Sequence, residues 1–116
     1  MVKQVASVDG KMHTATTDIC NTEFQSVIGT PNLVVADFFA TWCGPCMNFA
    51  PKFEAMSKEY PNATFIKIDI TEVPELQTKY SISSIPAFKL FKDGNVVADV
   101  VGANGVNLKN AIEKHI

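Results

Sequence analysis

The 116-residue chain carries twelve acidic residues against ten lysines and no arginine, for a net charge of −2, and 47% of it is apolar. That length suits one domain, residues 1–116, which buries roughly 65% of the surface its unfolded chain exposes, and the lack of a basic run speaks against a nucleic-acid partner. No stretch approaches the roughly eighteen apolar residues of a membrane span, residues 1–10 lack the apolar core of a secretory signal, and three cysteines are not the even framework of a small secreted domain, so a reducing cytoplasm is the expected compartment.

The first strand is expected at residues 11–16, in preference to 3–8, and an early helix at 21–28. Residues 33–40 are apolar at both parities except for Asp37, which predicts a central strand covered on both faces and a buried carboxylate within it. From Cys46 onward Phe49, Ala50, Phe53, Met56 and Tyr60 recur at helical spacing, predicting an amphipathic helix packed on the sheet. Pro51 lies inside that pattern and predicts a kink. The β-branched run 64–70 reads as a second central strand, and 73–80 as a short helix opened by Pro74. Residues 87–92 and 96–101 read as strands joined through Asp93, Gly94 and Asn95, and 107–115 as a closing helix. The result is an α/β domain, with a mixed sheet of about five strands flanked by about four helices.

The run Trp42-Cys43-Gly44-Pro45-Cys46 closes the central strand. Two cysteines so spaced on a tight turn can close a small disulfide ring or open to two thiols with little movement elsewhere, which reversible electron carriage requires. Only a thiolate attacks a disulfide. Cys43 precedes the helix, where free backbone N–H groups and the helix dipole favour an anion, whereas Cys46 lies one turn inside and suits the resolving role. Zinc is the rival ligand, but it needs a second pair of donors, and only Cys20, His13 and His115 remain. Cys20 reads as a small apolar side chain or a regulatory thiol.

Residues 35–46, from Val35 through Ala36, Asp37, Phe38, Phe39 and Ala40 to the cysteine motif, resemble the active-site segment of the thioredoxin family. Pro51, Lys67, Asp69, Ile85-Pro86, the run 91–94 and Val101-Gly102-Ala103 extend the likeness. The resemblance implies a thioredoxin fold and a protein-disulfide reductase with Cys43 as nucleophile and Cys46 as resolving thiol. It implies that Asp37 takes the Cys46 proton, with Lys67 as its pairing residue, and burial is expected to raise the Asp37 pKa. It implies a cis bond at Ile85-Pro86, and a target groove of Trp42, Gly44, Pro45, Ile85, Pro86, Gly102 and Ala103. Pro45 between the cysteines resembles the reducing members of the superfamily.

The same resemblance implies a monomer without bound cofactor. NADPH would supply its electrons through thioredoxin reductase, and its targets would be disulfide proteins such as peroxiredoxins, ribonucleotide reductase and methionine sulfoxide reductase. A disulfide isomerase-like domain and a non-catalytic binding module of the same fold are the alternatives; the central proline and the retained cysteines and acid weigh against them. Met47 stands where the family usually carries a cation, and helical phase places it off the packed face.

Overall fold

The computed structural model describes residues 2–6, 12–16, 24 and 27–116. Its strands are β1 (Val2–Ala6), β2 (Met12–Thr16), β3 (Val34–Phe39), β4 (Thr64–Asp69), β5 (Ala87–Lys92) and β6 (Asn95–Val101), and its helices are α1 (Gly44–Glu59), α2 (Pro74–Lys79) and α3 (Gly105–His115). They form one mixed sheet in the order β2-β1-β4-β3-β5-β6. Only β3 and β4 run parallel, with Asp37 opposite Lys67, and β5 flanks β3 antiparallel.

Among the described residues six strands form where about five were expected, because both candidate first strands are used. Val2–Ala6 takes the place beside β4, with Val5 opposite Ile66, and the preferred 11–16 stretch pairs along its outer edge as β2. Both stretches carry β-branched residues, and the second strand pairs backbone groups that would otherwise line a free edge. Residues 7, 8 and 11 of these expected strands lie outside the described residues. So does most of the early helix predicted at 21–28, of which Phe24, Val27 and Ile28 are helical.

Alternation along β3 sends Val34, Ala36 and Phe38 to one face and Val35 and Asp37 to the other. The first face packs against Phe24, Ile28, Val73 and Leu76, with the Phe24 ring edge-on to Phe38 and Phe91 at 6.3 and 5.6 Å. The second carries α1 and α3, through Phe49, Phe53, Met56, Leu108 and Ile112. Phe53 lies 5.3 Å from the Phe65 ring and 5.8 Å from Phe88, pairs that contribute about 0.5–1.5 kcal/mol each beyond area burial. Layers on both faces make β3 a buried strand, as its apolar run requires.

Helix α1 begins where Cys43 leaves extended backbone at φ −89° and ψ 108°, with Pro45 in the first turn, where its missing amide costs no helical bond. The helix continues through Pro51 to Glu59. Met47 and Pro51 both lie on the exposed side, so the Met47 carbonyl that Pro51 cannot satisfy faces water. Ser57, not read as a core position, is buried and donates its hydroxyl to Glu54 O at 2.6 Å.

Buried Asp69 ends β4 by accepting from Thr71 N–H at 3.0 Å and Thr71 Oγ1–H at 2.6 Å, a side-chain turn that delivers the chain to Pro74. Asp93 and Gly94, at φ +54° and +83°, form the two-residue turn between β5 and β6 that matches strand twist. Helix α3 starts two residues earlier than expected. The Asn104 side chain caps it by accepting from Asn107 N–H at 3.0 Å, a bond that offsets the poor helix propensity of Gly105.

Candidate redox site

The turn after β3 places the two sulfurs. Cys43 N–H donates to Ala40 O at 3.1 Å, and Cys43 and Cys46, 5.3 Å apart at Cα, are joined as a disulfide. Cys43 Sγ accepts the Cys46 N–H at 3.2 Å and lies 3.8 Å from Ile85 O. Cys43 is 6% exposed and Cys46 2%. An amide of the first helical turn thus points at the Cys43 sulfur, an arrangement that favours negative charge there once the bond opens.

Asp37 lies on the sheet face that carries α1. It is 1% exposed, and its Oδ1 has no hydrogen-bond partner among the described residues. Burial pushes its pKa up to about 7, and the positive charge of Lys67 pulls it partly back. Lys67 forms no ion pair with it: its ammonium lies 4.6 Å from the centre of the Phe39 ring, while the ion pairs among the described residues are Lys89–Asp99 and Lys109–Glu59. The expected Asp37–Lys67 pair is therefore a through-space coupling between register partners, because Phe39, on the same face, offers the ammonium a ring to cover. A carboxyl so buried can accept or release a proton near neutral pH.

Trp42 is 72% exposed. It borders a cleft of about 320 Å³ with Ile70, Thr71, Pro74, Ile82 and Ile85. The Ile85-Pro86 bond is cis, and Pro86 is buried with its carbonyl accepting Gly102 N–H at 2.8 Å. Ala103 lines a different recess, with Pro45 and Phe49. The predicted groove residues are thus divided: Trp42 and Ile85 share one hollow, while Pro45 and Ala103 share another. Among the described residues no three His, Cys, Asp or Glu side chains gather into a metal-holding group, and no helix is long and apolar enough to cross a membrane.

The family model described as Thioredoxin matches residues 15–114. Thioredoxin-1 of Saccharomyces cerevisiae is 49% identical over 78% of this chain and 87% of its own length. Thioredoxin 1 of Plasmodium falciparum is 48% identical over 80% and 89%. A solved structure of Plasmodium falciparum thioredoxin superposes with a TM-score of 0.80 at 46% identity, covering 84% of this chain and 95% of that one, and Fasciola hepatica thioredoxin gives 0.79 at 41%, covering 82% and 93%. The chain belongs to the thioredoxin family. It is a thiol-disulfide oxidoreductase that reduces protein disulfides.

Sequence reasoning for this thioredoxin-family chain missed Thr71, Pro74, Gln77, Ile82 and Ser83 around Trp42. The Asp69-Ile70-Thr71 segment is the one legible clue, since an aspartate two residues before a threonine at a strand end marks a tight turn, here one that folds back to the tryptophan. Cys20 lies outside the described residues, as does the side chain of His13. His115 is in the last turn of α3, where its carbonyl accepts from Lys92 Nζ at 3.1 Å.

Proposed function

We propose that Cys43 is the attacking thiolate and Cys46 the resolving thiol. The observation that carries this is the Cys46 N–H directed at Cys43 Sγ, which stabilises an anion on Cys43 and offers none of that help to Cys46. The Cys43 thiolate attacks one sulfur of the target disulfide, and the other leaves as a thiolate. Cys46 then gives its proton to Asp37, directly or through water, and attacks Cys43 Sγ. The ring closes, the second target sulfur leaves as a thiolate, and the two target thiolates take up the proton held by Asp37 and the one that Cys43 released to solvent on ionising. The net transfer is two electrons and two protons to the target. Lys67 tunes Asp37 by its charge. Trp42, Gly44, Pro45, Ile85, Pro86, Gly102 and Ala103 form the target-facing surface, with the backbone of Ile85 pairing with an extended target segment.

The oxidised pair regains electrons from NADPH through thioredoxin reductase, and the protein works as a cytoplasmic monomer. Its clients are peroxiredoxins, ribonucleotide reductase and methionine sulfoxide reductase. A related structure, 33% identical with a TM-score of 0.78, concerns thiol resolution in a yeast mitochondrial 1-Cys peroxiredoxin via glutathione/thioredoxin systems, which supports the first of these. Insulin reduction followed by NADPH oxidation tests the electron source: turnover requiring both this protein and the flavoprotein reductase is expected. No oxidation of NADPH above the reductase alone, with dithiothreitol still driving insulin reduction, would overturn it.

A further inference from the structure

The described residues include a second surface, which leads away from the redox pair along α1. The recess at Pro45 and Ala103 shares Lys52 with a larger hollow between α1 and the start of α3. Their volumes are about 260 and 380 Å³. Phe49 and Met56 form an apolar floor, Val106 stands exposed on the rim, and Lys109 with Glu59 closes the far end. Gly105 keeps the floor open, since a Cβ there would stand 3.6 Å from both Met56 Cε and Phe49 Cε1.

The charges in this channel are uneven. Lys109 is held by Glu59 at 2.9 Å, whereas Lys52 has no carboxylate within ion-pair distance among the described residues. The exposed Lys109–Glu59 pair is itself cheap to open. In a chain of net charge −2, this hollow therefore presents a free cation over an apolar floor. Along α1, Pro45 to Glu59 spans about 21 Å at ~1.5 Å per residue, a length that about six extended residues cover.

We infer that this channel docks an acidic, partly aliphatic segment of about six residues adjoining the disulfide of a target protein. A carboxylate meets Lys52, and an aliphatic side chain lies on Met56 and Val106. Continuity with Pro45, between the two cysteines, makes the occupant a target segment already engaged at the redox pair. The inference thus rests on the disulfide-reductase reading.

The test uses disulfide peptides with a six-residue segment on the N-terminal or the C-terminal side, in acidic and glutamine versions. The readout is the ratio of kcat/KM for acidic over neutral peptides within each protein variant. For the unaltered protein a ratio of roughly two to five at low ionic strength is expected for one of the two placements, the range an exposed ion pair supplies, shrinking as salt is added. Lys52→Glu inverts the ratio below one. Gly105→Ala, whose methyl fits at ordinary contact distance, lowers kcat/KM for both versions of that placement and leaves their ratio in place. Ratios near one for both placements, or a ratio unmoved by Lys52→Glu, overturn the docking channel. Failure of the unaltered protein to reduce even the neutral peptides would instead strike at the reductase reading.

Discussion

Replacing Asp37 by asparagine separates burial from chemistry. A folded-state pKa of about 7 in place of 3.8 corresponds, at ~1.4 kcal/mol per tenfold, to on the order of 4 kcal/mol held against the native state when the carboxyl ionises. Between about pH 4 and 7 the unfolded chain has lost this proton and the folded protein has kept it, so stability falls as pH rises through that window and levels off above it. Asparagine never ionises, although its amide enters a site where Oδ1 already lacks a partner, at a cost of about 1–3 kcal/mol. Urea unfolding of the oxidised protein should therefore find Asp37→Asn about 1–3 kcal/mol weaker than the parent near pH 3, and about 1–3 kcal/mol more stable above pH 8. In the reduced enzyme the same variant should resolve mixed disulfides more slowly, most of all near neutral pH. A stability difference independent of pH would show that Asp37 does not titrate as its burial dictates. Unchanged turnover from pH 6 to 9 would remove it from proton transfer.

Met47, 43% exposed on α1 beside the pair, should as Met47→Lys speed reduction of acidic targets at low salt and lose that gain as salt rises; equal effects on acidic and neutral targets in stopped flow would defeat the steering account. Asn104→Ala, which removes the cap from Asn107 N–H, should cost about 1 kcal/mol in urea unfolding, and no loss would mean that the start of α3 is held by packing alone. Phe53→Ala, emptying a site wholly closed to solvent, should cost about 3–5 kcal/mol, with refutation in a shift below about 1 kcal/mol that leaves no room for a cavity.

The central elements were legible because their patterns are unambiguous. A strand apolar at both parities must be covered twice, and one carboxylate inside it must be buried, as Val34–Phe39 and Asp37 are. The cysteine turn followed by Phe49, Phe53 and Met56 on one phase left little choice but a helix on that strand. The early strands were harder, since two stretches of similar β-branched content compete and only pairing with β4 distinguishes them. The start of α3 was hidden by Gly105, whose poor propensity masks a cap that acts through a side chain. Around the pair, the chain-local residues could be read, whereas Thr71, Gln77 and Ser83 reach Trp42 only through the fold. The separation of Ala103 from Trp42 likewise depends on how the loop after β6 approaches α1, which no local pattern encodes.

The roles of the two sulfurs admit the most direct test. Cys43→Ser and Cys46→Ser proteins are each incubated with a disulfide target, and the covalent adduct is measured on non-reducing gels and by intact mass. Because the helix-terminal amide favours an anion at Cys43, Cys46→Ser should accumulate stable mixed disulfides and Cys43→Ser almost none. Equal trapping by the two variants, or trapping by Cys43→Ser alone, would contradict the account.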